Sequence, residues 1–195
     1  MRPIVLASQS PRRRELLSLY GLPFAVEPSL ADEEGVTGTG AQRVQALARL
    51  KCEEVALRHA DCYVLAADTL VCVDDAVLGK PKDASDARRM LRMLSGRTHE
   101  VHTGVCLRLP DGGQLCGVDT TRVTFLPMDD AAIERYIATG EPFDKAGAYA
   151  IQGVAGIFIE SIEGSFSNVI GLPLALVTRF FTRAGLCVPA CPDGV

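Results

Sequence analysis

The 195-residue sequence contains no apolar run long enough to cross a membrane, and it lacks the pattern of a secretion signal. A membrane-spanning helix needs about 20 predominantly apolar residues. The apolar stretch near the start, MRPIVLAS, is far shorter and is followed by arginines rather than by a small-residue cleavage site. We therefore expect a protein that has no membrane partner, is not exported and resides in the cytoplasm.

Paired metal-site or disulfide cysteines are also lacking, because the seven cysteines form an odd set without any C-x-x-C pair. Most of them lie in apolar, strand-like segments, a pattern typical of reduced and buried thiols in a cytoplasmic protein. They are Cys52, Cys62, Cys72, Cys106, Cys116, Cys187 and Cys191.

A general excess of positive charge is absent too, since the formal net charge is −4. This balance argues against a nucleic-acid-binding surface. The basic residues are nevertheless uneven, because Arg12, Arg13 and Arg14 are consecutive. The sequence therefore indicates a local anion site.

Four common catalytic motifs are missing from the chain. There is no G-x-x-x-x-G-K-[S/T], G-x-G-x-x-G, G-x-S-x-G or H-E-x-x-H segment. Their absence excludes the usual phosphate-loop, dinucleotide-binding, serine-hydrolase and zinc-protease readings.

The hydrophobic periodicity that is present predicts alternating strands and helices within one domain of residues 1–186, with a loose tail at 187–195. Predicted strands are 3–8, 64–73, 98–109, 114–127 and 155–162, and residues 23–40 are predicted to be a strand followed by an exposed loop. Predicted helices are 11–21, 41–59, 83–96, 129–139 and 172–184. The segments 141–153 and 164–171 are predicted to be loops, and Asp74-Asp75 to be a hairpin turn.

Asp68 is the unusual residue of the predicted strand at 64–73, because its neighbours are apolar and many are β-branched. A carboxylate in such a strand requires a cation, hydrogen bonds or a raised pKa. Lys80, which precedes Pro81, is the nearest candidate partner in the sequence. Lys51 lies close to the apolar stripe of the helix at 41–59, and such a lysine commonly extends its ammonium to water.

The arginine cluster falls in the first turn of a helix with Ser10 as its N-cap and Pro11 as its first residue. The helix dipole repels cations at that end, and a bound phosphate would resolve the conflict. The alternative is three solvated arginines. The acidic loop with Asp32, Glu33 and Glu34 is either solvated or, if folded towards Asp68, suited to Mg²⁺.

His99 and His102 are the remaining metal-ligand candidates. Residues three apart on a strand face opposite sides of the sheet, which disfavours a shared metal ion. Lysines and arginines around one buried aspartate instead suit the attack of water on a polyphosphate, where positioning and charge neutralisation lower most of the barrier.

Five ordered motifs, SQSPRRRELL, AADTLV, GKP, MLSGRTHEVHTGV and DKAGAYAIQG, resemble those of the Maf-like nucleoside triphosphate pyrophosphatases. The resemblance extends from Leu6 to about Leu174. It implies an α/β fold like that of the inosine-triphosphate pyrophosphatases, with a central mixed sheet, flanking helices and a cleft between two lobes, usually in a homodimer. It also implies conversion of a nucleoside triphosphate and water to the monophosphate and pyrophosphate, with Mg²⁺, Mn²⁺ or Co²⁺.

By position, the resemblance assigns Asp68 as the proton acceptor, and Asp68 with Glu33 as metal ligands; Asp32 or Glu34 replaces Glu33 if the register slips. The base-side loop contains Asp144 and Lys145. The phosphate-binding residues implied are Ser8, Ser10, Arg12, Arg13, Lys51 and Lys80.

Substrate choice in the family follows the residues that match Arg12, Thr69 and Gln152. The motif D-K-A-G-A-Y-x-I-Q-G resembles the branch that hydrolyses dTTP and UTP, with CTP and modified pyrimidine nucleotides as further candidates. A neutral amide both donates to and accepts from a uracil or thymine edge. The alternatives are a nucleotide-binding regulator of cell division and septum formation without turnover, or a purine enzyme of the 7-methyl-GTP type.

Overall fold

A computed structural model describes residues 2–186, so the predicted loose tail, with Cys187 and Cys191, lies outside the described residues. The strands are β1 (Ile4–Leu6), β2 (Phe24–Val26), β3 (Tyr63–Val73), β4 (Ala76–Leu78), β5 (Thr98–Arg108), β6 (Gln114–Phe125) and β7 (Ile159–Glu163). The helices are α1 (Pro11–Ser18), α2 (Gly40–Ala56), α3 (Ala84–Leu94), α4 (Asp130–Ala138), α5 (Phe166–Ile170) and α6 (Leu174–Arg183). Within this range no helix combines the length and the apolar character that a membrane crossing requires.

The strands form one mixed sheet in the order β2-β1-β3-β5-β6-β7, with β4 paired to β3. β1 pairs in parallel with both β2 and β3, whereas the β3–β4 and β6–β7 pairs are antiparallel. This architecture confirms the predicted α/β class with a central mixed sheet.

The described residues divide into two compact units. Unit 1 comprises the residues up to Asp68, Thr103–Asp119 and those from Gly171 onwards, and unit 2 comprises Thr69–His102 and Thr120–Ile170. The long strands β3, β5 and β6 contribute residues to both units. That residues 1–186 act as a single catalytic domain stays a prediction.

The core of unit 1 forms between α2 and the buried strands β1 and β3. α2 begins at a capping box in which Thr39 and Gln42 each accept a hydrogen bond from the other's backbone N–H. The buried stripe of α2 follows helical spacing and includes Val44, Leu47, Ala48, Cys52 and Val55. It packs with side chains of β1, β3 and β5, among them Val5, Val64 and Cys106.

Gly104 of β5 allows α2 to approach the sheet at the first turns of the helix. A Cβ atom at this position would lie 2.2 Å from the carbonyl oxygen of Val44, a distance that no side chain tolerates. Because the obstacle is backbone, only movement of α2 would relieve it. The absence of a side chain at position 104 therefore sets the distance between α2 and β5.

The core of unit 2 forms around α3, whose N-cap is Asp83, the first residue of the helix predicted at 83–96. Met90, Leu91 and Leu94 of α3 are buried, and they belong to one apolar cluster with Phe125 of β6. The predicted hairpin turn between β3 and β4 is also confirmed, and Asp74 adopts a positive φ of 50° there.

The predicted strand at 155–162 is wrong in its first half. Residues Val154–Phe158 form a 3₁₀ helix, and β7 begins only at Ile159. The backbone N–H groups of Val154 and Ala155 donate to the carboxylate of Glu141, at 2.9 and 3.3 Å, instead of to a neighbouring strand. A side chain that is distant in the sequence thus overrides the local β-propensity.

The predicted loop at 164–171 contains the short helix α5. The carbonyl oxygen of Ser165 accepts from the backbone N–H groups of Asn168 and Val169, which closes the first turn. The buried Asn168 amide then donates to the Val101 carbonyl and the Thr121 hydroxyl, each at 2.9 Å. These tertiary bonds stabilise a helix too short to be stable alone.

The five cysteines in the described part of the chain are free thiols, as predicted. Cys52 and Cys106 are buried, whereas Cys62, Cys72 and Cys116 are half-buried.

Candidate active site

The Asp68 carboxylate is buried in β3, with 8% of the residue exposed, and its partner is Lys51 of α2. The Lys51 ammonium donates to Asp68 Oδ1 at 2.6 Å. It also lies 2.9 Å from Glu33 Oε1. Two carboxylates therefore converge on one ammonium, which supplies the counter-charge that a buried aspartate needs.

The position of Lys51 on α2 explains this contact. Lys51 follows Leu47 and Ala48 by four and three positions, so it extends from the buried stripe of the helix towards the sheet. Its side chain is 14% exposed, and the expectation that the ammonium extends to water is therefore wrong. Lys51, rather than the Lys80 singled out as nearest in the sequence, contacts Asp68.

The acidic loop brings Glu33 within 2.9 Å of the Lys51 ammonium. Asp32 Oδ1 accepts from the backbone N–H of Glu34 at 2.9 Å, which forms a local turn around Glu33. All three acidic residues of the loop are exposed, and Glu33 forms the ion pair with Lys51. The structure thus brings Glu33, the residue first assigned by the motif register, to the Lys51–Asp68 pair.

At the N-terminus of α1, Ser10 and Arg13 both donate hydrogen bonds to the Ser8 hydroxyl. Ser10 is the N-cap and accepts from the Arg13 backbone N–H, as the sequence predicts. Ser8 Oγ accepts from the Ser10 backbone N–H at 3.2 Å and from Arg13 Nη1 at 3.3 Å. Arg13 Nε also donates to the Gly171 carbonyl at 2.8 Å, so the guanidinium is held by two separate hydrogen bonds.

The electrostatic setting of Arg13 connects this helix start to the carboxylates. Burial lowers the pKa of the Arg13 guanidinium below its usual value, whereas the nearby carboxylates of Asp68 and Glu33 act in the opposite direction and Arg12 adds to the lowering. Arg12 and Arg13 are half-buried, and Arg14 is exposed. The phosphate-binding role of this cluster stays a prediction.

The carboxylates of Asp68 and Glu33 are the candidate protein ligands for a divalent cation in this cluster. Mg²⁺ is commonly held by one or two carboxylates together with substrate phosphates and water. Asp68 and Glu33 supply two carboxylates directed at one cation, Lys51. Among residues 2–186 no group of three or more His, Cys, Asp or Glu side chains is arranged for a metal ion. The donor set fits a cation that is completed by substrate, rather than one held by protein ligands alone.

Unit 2 contains the other predicted site residues. Thr69 directly follows Asp68 in β3 and is half-buried, and Lys80 is exposed between β4 and the buried Pro81. In the segment after α4, Lys145 Nζ donates to the Asp144 carboxylate and, at 3.2 Å, to the Glu141 carbonyl. Gln152 is exposed within a turn.

The two histidines do not share a partner. The buried His99 contacts the Tyr149 hydroxyl through Nε2 at 2.8 Å. His102 Nδ1 contacts the Thr120 hydroxyl at 2.9 Å, and its Nε2 lies 3.3 Å from Glu100. The two histidines thus contact different side chains.

Sequence reasoning missed Glu141 and Tyr136, which surround the turn that contains Gln152. Glu141 accepts hydrogen bonds from two backbone N–H groups and from the Tyr136 hydroxyl at 2.8 Å. One signal in the sequence was available: Glu141 directly follows Gly140. Gly140 has a positive φ of 77° and lies just after the end of α4.

The chain is similar in sequence to proteins of one family along most of its length. The model of the Maf-like protein family matches residues 3–184. A dTTP/UTP pyrophosphatase of Anaeromyxobacter sp. (strain Fw109-5) is 52% identical over 191 residues, covering 95% of this chain and 91% of that protein. A dTTP/UTP pyrophosphatase of Thermococcus gammatolerans is 51% identical over 176 residues, covering 90% of this chain and 94% of that protein.

A solved structure shares the fold at low sequence identity. The Ham1 protein of Staphylococcus aureus superposes with a TM-score of 0.56 at 15% identity, covering 93% of this chain and 99% of that chain. Such a likeness concerns the fold alone, and it agrees with the predicted mixed α/β architecture.

Proposed function

The chain belongs to the Maf-like protein family, and on that premise we propose that it is a nucleoside triphosphate pyrophosphatase that hydrolyses dTTP and UTP. The reaction cleaves the α–β phosphoanhydride with water and yields the nucleoside monophosphate and pyrophosphate. The proposal is supported by the names of the relatives that match over most of the chain. CTP and modified pyrimidine nucleotides are proposed as further substrates.

The observation that carries the proposal is the Lys51 ammonium in contact with both Asp68 and Glu33. A buried, paired carboxylate at one point of a polar cluster is suited to general-base chemistry. Asp68 accepts a proton from the attacking water, the water oxygen bonds to the α-phosphorus, and pyrophosphate departs as the leaving group.

The basic residues of unit 1 are proposed to bind the triphosphate. Arg13 is held at Ser8 and Gly171, so its guanidinium is oriented before substrate arrives. Arg12 and Lys51 add positive charge, which stabilises the negative oxygens of the transition state. Ser8 and Ser10 supply hydroxyl groups at the start of α1, and Lys80 is proposed as a further phosphate-binding residue.

A divalent cation, Mg²⁺ or else Mn²⁺ or Co²⁺, is proposed as the cofactor, with Asp68 and Glu33 as its protein ligands. When bound, it neutralises phosphate charge and favours departure of pyrophosphate. In this chain Asp68 then holds the water and receives its proton, while Lys51 keeps both carboxylates directed at the same point.

Base selection is assigned to Arg12, Thr69 and Gln152, with Asp144 and Lys145 on the base-side loop. The Gln152 amide is neutral and carries both a donor and an acceptor, which suits the edge of uracil or thymine. We further propose a cytoplasmic homodimer.

Pyrophosphate release with Mg²⁺ from a panel of dTTP, UTP, CTP, dGTP and 7-methyl-GTP tests the proposal. The expected result is turnover with the highest kcat/KM for dTTP and UTP. Tight binding without turnover would instead favour the cell-division regulator, and a preference for 7-methyl-GTP would favour the purine enzyme. The molar mass from light scattering, measured as the protein leaves a size-exclusion column, tests the proposed homodimer separately.

A further inference from the structure

The turn that carries Gln152 has a defined geometry. The Gly153 backbone N–H donates to the Ala150 carbonyl at 3.0 Å, so residues 150–153 form a closed turn with Gln152 at its third position. Gln152 is exposed on this turn. Its amide therefore depends on the backbone of the turn for its orientation.

The carboxylate of Glu141 fixes the end of this turn. It accepts from the Val154 backbone N–H at 2.9 Å and from the Ala155 backbone N–H at 3.3 Å. Burial alone would raise the pKa of Glu141, but the backbone N–H of Val154, the Tyr136 hydroxyl and the Ala155 N–H favour the charged form, and the net pKa is lowered. An ionised acceptor with several donors makes strong hydrogen bonds.

Tyr136 connects the same contact to the core of unit 2. Its hydroxyl donates to Glu141 Oε1 at 2.8 Å. The Tyr136 ring is 2% exposed in the core of unit 2, so the hydroxyl is anchored by the packing of α4. The Tyr136–Glu141 pair thus holds the end of the turn against the core of unit 2.

Gly153 shows how closely the carboxylate approaches the turn. A Cβ atom at this position would lie 2.2 Å from Glu141 Oε2. Because Glu141 is already bonded to three donors, it cannot move away without losing them. A glycine at 153 is therefore required for the contact.

We propose that Glu141 and Tyr136 are positioning residues for base selection, which act by holding the Gln152 turn in the conformation that recognises uracil and thymine. This inference rests on the proposed function and on the specificity role of Gln152. Neither residue participates in proton transfer or phosphate binding. Their effect falls on discrimination between bases, because specificity depends on the placement of the amide donor and acceptor.

The principal test is Glu141→Gln, with kcat and KM measured separately for dTTP, UTP and dGTP. The amide retains one acceptor oxygen but places an NH₂ group against a backbone N–H, so one end of the turn is released. The expected result is a roughly tenfold fall in the kcat/KM ratio of dTTP to dGTP, mainly through a higher KM for dTTP. Glu160→Gln, the same change at an exposed glutamate of β7, is expected to leave the ratio unchanged.

Two further variants disturb the same contact by different means. Gly153→Ala displaces the Glu141 carboxylate, and Tyr136→Phe removes the hydroxyl while preserving the ring. Both should lower the dTTP to dGTP ratio in the same direction as Glu141→Gln, in samples whose thermal midpoint remains above the assay temperature. If a folded Gly153→Ala or Tyr136→Phe enzyme keeps the ratio, the proposal is overturned.

The wild-type enzyme separates failure of this inference from failure of the proposed function. If the wild type hydrolyses dTTP and UTP, but the folded variants lose activity equally on every nucleotide, the positioning role is refuted while the proposed function stands. If the wild type does not prefer pyrimidine triphosphates, the proposed function fails first, and the positioning role in base selection fails with it.

Discussion

Lys51 donates to Asp68 at 2.6 Å across a separation of 17 residues in the sequence, and the pair joins α2 to the buried strand β3. The lysine and aspartate side chains are only 14% and 12% exposed. Removal of one partner from such a pair lowers the free energy of unfolding, because the other charge is then left unpaired in a poorly solvated place. Function and stability are therefore linked at this contact.

The first prediction concerns Asp68→Asn. This change keeps the size and shape of the side chain but removes the proton acceptor, so turnover of dTTP should fall by about 10²- to 10⁴-fold. Steady-state release of pyrophosphate at saturating dTTP measures the effect.

Asp61→Asn is the matched control, because Asp61 is exposed at the end of the segment that precedes β3. It should retain wild-type turnover. An Asp68→Asn enzyme with near-normal kcat would exclude Asp68 as the general base.

The second prediction concerns Lys51→Met, which preserves an unbranched apolar stem and removes the ammonium. The Asp68 and Glu33 carboxylates then lose their common counter-charge, and the free energy of unfolding should fall by about 2 kcal/mol. In the double variant Lys51→Met/Asp68→Asn, part of this loss should be recovered because the stranded charge is gone.

Urea titration of the four proteins of this cycle gives the coupling energy, and Lys82→Met controls for loss of an exposed lysine. Strict additivity of the two changes would show that the Lys51–Asp68 contact contributes nothing to stability.

The third prediction concerns Gln152→Glu. A carboxylate offers acceptors only, so it should bind the donor-and-acceptor edge of uracil or thymine less well than the amide. We expect kcat/KM for dTTP and UTP to fall by roughly tenfold or more relative to 7-methyl-GTP. The nucleotide panel used above provides the measurement, and an unchanged order of substrates would assign base selection to other residues.

The fourth prediction concerns the pH dependence of stability. Burial lowers the pKa of His99 to about 4, and the neutral ring contacts Tyr149 and packs against Phe125. In the unfolded chain a histidine has a pKa of about 6.5, so the unfolded state takes up a proton first as the pH falls. Stability is therefore lost between about pH 6.5 and pH 4, and this group alone should lower the free energy of unfolding by about 2 kcal/mol from pH 7 to pH 5.

Chemical unfolding of wild type and His99→Gln at both pH values isolates this contribution. The variant should be less stable at pH 7 but should lose less stability on acidification. Parallel losses in the two proteins would assign the acid sensitivity to other groups.

Local patterns in the sequence predicted much of the architecture. The capping residues Ser10 and Asp83 and the turn at Asp74 identified element boundaries because their side chains act on backbone groups only a few residues away. The isolation of Asp68 in an apolar strand likewise predicted a buried carboxylate with a cation beside it. Each of these inferences depends on chemistry within one segment.

The inferences that failed depend on contacts between distant segments. Lys80 was named as the partner of Asp68 instead of Lys51, because nothing in the sequence of α2 shows that Asp68 and Glu33 meet Lys51 in the fold. The 3₁₀ helix at Val154–Phe158 replaced a predicted strand because Glu141 captures its first N–H groups. Such contacts are set by tertiary packing, which periodicity and propensity do not encode.

Gly104, which has no side chain, lies against the helix that carries Lys51. Val44, which lies against Gly104, and Lys51 are seven residues apart on α2 and so project from the same side, two turns along the helix. Any side chain at position 104 would push α2 away from β5. Because the helix moves as a rigid body, the Lys51 ammonium would move away from the Asp68 and Glu33 carboxylates. The substitution Gly104→Ala, which adds a single buried methyl group, could thus inactivate the enzyme without changing any of its proposed catalytic or phosphate-binding residues.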